Sequence, residues 1–134
     1  MPPYILSCGS TADLTREQMA RRDIRYVCYR FTLDGEEYAD DMGLSITPAE
    51  LYAHMMAGAE VKASQVSVAE YARYFAGLLA EGLDVLHVEF SGGLSGSVNA
   101  ARLAAEDRRH GPFHAAPPSR RISARPCPGR SAAP

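Results

Sequence analysis

Two short stretches rich in glycine and hydroxyl side chains, Cys8-Gly-Ser-Thr11 and Ser91-Gly-Gly-Leu-Ser-Gly-Ser97, are the places in this sequence where chemistry could be done. Glycines let the backbone approach a ligand closely and expose N–H groups. Serine and threonine hydroxyls add donors, and a helix that follows turns its positive end to the same spot. Such a loop suits a carboxylate or a phosphate. A structural reading stays equally open, in which Gly92, Gly93 and Gly96 make a tight turn and Ser97 caps the next helix.

More specific chemistries find little support. Neither loop ends in G-K-[ST], and no G-x-G-x-x-G follows a strand, so a nucleotide-binding loop is not indicated. Gly93-Leu-Ser-Gly-Ser97 misses the nucleophile elbow because Ser97 replaces its last glycine. With no base and acid identifiable for Ser95, no catalytic residue is assigned and the chain is expected not to be an enzyme. Cys8, Cys28 and Cys127 are odd in number and far apart, and His54, His87, His110 and His114 are equally scattered. The expectation is three free thiols, bland histidines, no metal site and no cofactor.

The elements that would hold the loops are marked by caps. Thr15 with Gln18, Thr47 with Glu50 and Ser67 with Glu70 have capping-box spacing, and Pro48 sits at a first helical position. Leu14 with Met19 and Ile46 with Leu51 can staple the first two helices. In the second, Leu51, Met55 and Ala59 share a face, and Gly58 marks its end. In the third, Val68, Tyr71, Phe75, Leu78 and Leu79 form an apolar stripe, read as core, before Gly82. Tyr4-Ile-Leu-Ser7 reads as a buried strand, 24–33 as a strand turned back at Asp34-Gly35 toward Tyr38, and 83–90 as an inner strand. An Ala-rich helix over 98–106, with Leu103 on its inner face, follows the second loop. This alternation predicts an α/β fold, a mainly parallel sheet with flanking helices.

Charge divides the chain at Asp107. Up to there, 8 Lys and Arg face 16 Asp and Glu; beyond it stand six Arg and no acid, among six Pro and five Ala. An acidic body argues against nucleic acid as a partner. The 134 residues allow one ordinary domain, 1–107, and the tail 108–134 is expected to be disordered because it has too little apolar surface to bury. The abrupt shift to residues with GC-rich codons also suggests a reading-frame shift or gene break, and so a truncated domain. No secretory signal and no run of about 18 apolar residues are seen, so a cytoplasmic chain without stable membrane insertion is expected.

Five segments carry a family resemblance: Ser10-Thr-Ala-Asp-Leu14, Asp34-Gly-Glu-Glu-Tyr38, Ile46-Thr-Pro-Ala-Glu-Leu-Tyr52, Lys62-Ala-Ser-Gln65, and Gly93-Leu-Ser-Gly-Ser97 through Ala100-Ala-Arg-Leu-Ala-Ala-Glu106. In order and spacing they resemble the N-terminal domain of DegV proteins, over nearly all of 4–107. The resemblance implies a protein that buries a long-chain fatty acid and presents its carboxylate to a separate fatty acid kinase, which makes acyl phosphate. Ser95 matches the family serine that contacts the carboxylate. Ala63 stands at the usual Thr, next to Ser64, so one hydroxyl is lost there. Gly93 and Gly96 shape the site, and Ser10 and Thr11 support it. Gly9 replaces the family Asp, and Ser91-Gly92 replaces a pair of serines. The second domain, which walls the acyl tunnel and carries a His near the headgroup, has no counterpart in the sequence. A truncated product that binds no lipid and a small anion- or nucleotide-binding module are the alternatives.

Overall fold

The computed structural model describes residues 3–89, 93, 95–110 and 122–126, with 108–110 and 122–126 described by backbone. The chain runs β1 (Tyr4–Gly9), α1 (Arg16–Arg21), β2 (Ile24–Val27), β3 (Arg30–Leu33), β4 (Glu36–Ala39), α2 (Pro48–Met56), β5 (Val61–Ser64), α3 (Val68–Leu79), β6 (Asp84–Glu89), α4 (Ser97–His110) and β7 (Ile122–Pro126). Four strands form a parallel sheet in the order β2-β1-β6-β7, as the βαβ alternation predicts.

The expected single strand over 24–33 is in fact two strands in different sheets. β2 lies parallel to β1, whereas β3 pairs antiparallel with β4 and β5 in a second, three-stranded sheet that the sequence did not reveal. The break falls at Cys28 and Tyr29, where the Tyr29 N–H donates to Ser10 Oγ (3.0 Å) and the Asp40 N–H donates to the Tyr29 carbonyl (2.7 Å). Those tertiary bonds take the place of ladder bonds and let the chain change sheets. The hairpin turn at Asp34-Gly35 is as expected, with both residues at positive φ (50° and 85°), the twist that joins antiparallel strands by two residues.

All three capping boxes close, Thr15, Thr47 and Ser67 each accepting from the backbone N–H three residues on. The core lies where α3 and α4 cover one face of the parallel sheet. Tyr71, Phe75 and Leu78 of α3 pack there with Ile5, Val27, Val85 and the small face Ala101, Ala104 and Ala105 of α4. Leu103, expected inside, is 48% exposed, because α4 meets α3 through its alanines and these set its rotation. α2 buries none of its residues: on the face shared by Leu51, Met55 and Ala59, Leu51 is half-buried and Met55 exposed, and Met56 and Tyr52 are exposed as well.

The tail expected to begin at 108 contains two described pieces. α4 continues to His110, and Ile122–Pro126 adds a parallel strand beside β6, in register from Val85 opposite Ile122. Residues 111–121 and 127–134 lie outside the described residues. None of the described helices is long and apolar enough to cross a membrane.

Candidate functional site

Ser95 stands at the entrance to α4. Its Oγ accepts from the Ser97 backbone N–H (3.2 Å) and its hydroxyl donates to Ser97 Oγ (3.0 Å). Ser95, rather than Ser97, therefore caps this helix through its side chain, while Ser97 is fully buried as its first residue. A 14-residue helix directs its positive end toward this serine. Gly93 is exposed in a turn just before it. Ser91 and Gly92 lie outside the described residues.

Gln65 brings the end of β5 to the same loop: a β-carbon on Gly96 would stand 2.6 Å from Gln65 Oε1. Ala63 is exposed and pairs with Phe31 across the sheet, so both side chains share a face. Ser64 points to the other face, where its hydroxyl donates to the Arg30 carbonyl (3.3 Å). Gln65 thus places the end of β5 beside Gly96, the residue after Ser95. Ser10 has a different occupation. It is buried, donates to Asp40 Oδ2 (2.9 Å) and accepts from Tyr29, which ties the end of β1 to both sheets.

Thr11 is exposed and lines, with Ser10, a groove of about 550 Å³ between the β1–α1 loop, β3 and α2. Leu14, Phe31, Ile46, Leu51 and Tyr52 make its apolar wall, and Asp13, Asp40 and Asp41 with Arg16 its charged rim. Ser95 does not line it; Phe31, the cross-strand neighbour of Ala63, connects the two regions.

Sequence reasoning missed a buried polar cluster on the inner face of β6. Ser7 Oγ lies 2.9 Å from His87 Nδ1 and 2.6 Å from Tyr74 Oη, His87 Nε2 is 3.3 Å from Glu89 Oε2, and the Tyr71 hydroxyl donates to the same carboxylate oxygen at 2.5 Å. Ser7 and His87 are wholly buried and Glu89 nearly so. The order serine, histidine, carboxylate looks like a hydrolytic triad, yet a fully buried Ser7 has no room for a substrate, and the rings of Tyr71 and Phe75 pack edge-on against His87. The signal was period-two alternation: Val85, His87 and Glu89 share the buried face of β6, while the apolar Leu86 and Val88 are only half-buried. Burial opposes ionisation of Glu89, but hydrogen bonds from His87 and Tyr71 outweigh it and hold the carboxyl below its usual range. No cluster of metal-ligating side chains occurs among the described residues.

A family model described as "Uncharacterised protein, DegV family" matches residues 8–117. The chain belongs to the DegV family. A DegV domain-containing protein of Clostridium perfringens is 28% identical over 107 residues, which is 80% of this chain and 37% of the relative. One from Deinococcus radiodurans is 36% identical over 99 residues (73% and 34%), and a 15.5 kDa DegV domain-containing protein of Staphylococcus aureus is 29% identical over 101 (75% and 71%). Among solved structures, a DegV family protein of Thermus thermophilus described as fatty acid binding superposes with a TM-score of 0.73 at 30% identity, over 94% of this chain and 41% of that one. A stearic acid-binding protein of Eubacterium ventriosum does so with 0.69 at 29%, over 90% and 40%. The DegV match thus runs past Asp107, where the sequence resemblance was expected to end, and takes in the whole α4 helix.

Proposed function

We propose that this chain binds a long-chain fatty acid, holds its carboxylate at Ser95, and presents it to a separate fatty acid kinase in the cytoplasm. The observation that carries this reading is the placement of Ser95 Oγ at the N-terminus of α4, beside the end of β5, where an N–H, a hydroxyl and the helix dipole meet. The acidic rim of Asp13, Asp40 and Asp41 repels an anion from the groove. The headgroup is therefore assigned to Ser95 and the acyl chain to the apolar wall reached along Phe31. Members of the family of known structure are described as binding fatty acids, stearic acid among them, which supports the same ligand class here. The chain spans 37% of the Clostridium relative, so the delivery step is assigned to the whole DegV architecture.

Displacement of a fluorescent fatty acid by palmitate tests the site. Ser95→Ala should weaken binding roughly tenfold and Ala63→Thr should strengthen it, since a hydroxyl donating to a carboxylate contributes about 1.5 to 3 kcal/mol. Equal binding by all three proteins discards the site. Acyl phosphate formed on adding a fatty acid kinase and ATP to the loaded chain tests delivery, and none forming would refute it.

A further inference from the structure

α2 forms without burying any of its own residues. The Thr47 to Glu50 capping box and Pro48 fix its start locally. A helix this short gains little from its own hydrogen bonds in water and draws its stability from what it packs against. Leu51 and Tyr52 line the groove of about 550 Å³, and one turn further on Met55 and Met56 carry the same apolar faces out of it. Met56 is 89% exposed and Tyr52 64%. Methionine is unbranched and polarizable, so it adapts to apolar side chains of irregular shape. The helix is about 13.5 Å long at 1.5 Å per residue, enough to meet residues i, i+3, i+4 and i+7 of a second helix laid along it.

Charge decides between possible occupants. Asp13, Asp40 and Asp41 stand on the rim, with Arg16 the one base among the described lining residues. Hydrogen bonds from Ser45 hold the Asp41 carboxyl below its ordinary range, so that charge persists in mild acid. A bilayer surface is itself anionic and would be repelled. A second copy meeting this face by two-fold symmetry would set acid against acid. The complement is a segment that flanks apolar side chains with basic ones. We propose that α2 and its groove are a docking face for a basic amphipathic helix of a partner protein. Its apolar side seats on Leu51, Tyr52, Met55 and Met56, and its lysines or arginines meet Asp13, Asp40 and Asp41. This goes beyond the fatty-acid reading and does not depend on Ser95. Because the acyl chain is assigned to the same wall, helix and fatty acid exclude each other, and the partner docks on the unloaded chain.

The probe is a fluorescein-labelled, amidated peptide of leucine and lysine, about 14 residues long with its leucines at helical spacing, titrated with the 134-residue chain and read by fluorescence anisotropy. It should bind, whereas the same peptide with glutamate for lysine, or with leucine and lysine in strict alternation, should not. Met55→Ser together with Met56→Ser should weaken binding roughly tenfold or more. Both methionines are exposed, so circular dichroism should show the fold unchanged. Asp13→Asn should weaken binding roughly two- to fivefold. Glu81→Gln, which removes the same charge beside Arg25 beyond the end of α3, should leave it unaltered. Equal binding of the lysine and glutamate peptides, or an affinity indifferent to both the methionine and the Asp13 substitutions, overturns the proposal. A dimer in sedimentation that the methionine substitutions dissolve would give the face to a second copy and overturn it too, as would binding to phosphatidylglycerol vesicles lost in the same variants. Palmitate separates this from the fatty-acid reading: where it binds it should displace the peptide, and undiminished peptide binding at saturating palmitate overturns the docking face. A chain that binds the peptide and no palmitate refutes the fatty-acid reading alone.

Discussion

Gly9 leaves open the space that the Glu89 carboxylate fills, the missing β-carbon of one falling 2.9 Å from Oε1 of the other. Tyr29 closes the same space from a third side, at 2.8 Å. Gly9→Ala should therefore destabilise the fold by about 1 to 3 kcal/mol, the usual cost of overpacking a filled interior. In a Glu89→Ser background the cost should shrink, because one of the two colliding groups is gone. Urea denaturation of the four members of this cycle measures the coupling, and strict additivity would contradict it.

Acid should expose the same carboxylate. The Glu89 carboxyl is lowered in the folded state: burial raises it, but its donors prevail. A lowered carboxyl contributes stability that is fully present above the unfolded value, about 4.3, and is lost as pH falls through the folded one. Glu70, lowered by the Ser67 N–H and by Arg30, acts with the same sign from a more exposed position. Tyr71→Phe removes the 2.5 Å bond to Glu89 and should cost about 1.5 to 3 kcal/mol at neutral pH, moving acid unfolding to higher pH. Far-UV circular dichroism follows this in a chain without tryptophan, and an unchanged acid midpoint would be the contrary result.

Gly96 faces a different neighbour. The atom 2.6 Å from its missing β-carbon is the end of the exposed, flexible Gln65 side chain. Gly96→Ala should change stability by no more than about 0.5 kcal/mol, since Gln65 can swing away. It should weaken palmitate binding instead, by parting the β5 end from the Ser95 loop, and Gln65→Ala should restore part of the loss. A large stability loss without a binding change would mean that this contact is core packing.

Cys8 and Cys28 are free thiols of different setting. Burial, and then the charge of Glu89, pushes the Cys8 thiol up to about 11, and it lies against Met19 with Sγ 3.9 Å from Sδ. At pH 8 Cys8 should react with a disulfide reagent at least roughly a hundredfold more slowly than an unperturbed thiol, in line with its small thiolate fraction. Peptide mapping after timed labelling reads this rate. Labelling of Cys8 as fast as a free thiol would show that the face of β1 toward α1 opens readily.

The local signals in the sequence carried through where the physics is local. Capping boxes at Thr15, Thr47 and Ser67 formed because each needs only its own first turn, and Asp34-Gly35 made its hairpin because the positive φ values are a property of those two residues. The resemblance predicts that Ser95, Ala63 and Gly96 share a site; of these the structure brings Gly96 against Gln65, one residue past β5. Alternation over 24–33 could not show that two strands in different sheets share it, since the switch depends on Ser10 and Asp40 binding Tyr29.

By itself the sequence determined the starts of the first three helices, the hairpin, the parallel α/β pattern and the family. The tertiary structure alone decided what covers each face: that α2 buries none of its residues, that α4 turns its alanines rather than Leu103 inward, and that His87, Tyr71 and Tyr29 surround Glu89. Periodicity records which side chains share a side of one element. Which neighbour lies against that side is set by packing across the whole chain, and a buried carboxylate is tolerated only where that packing supplies its donors.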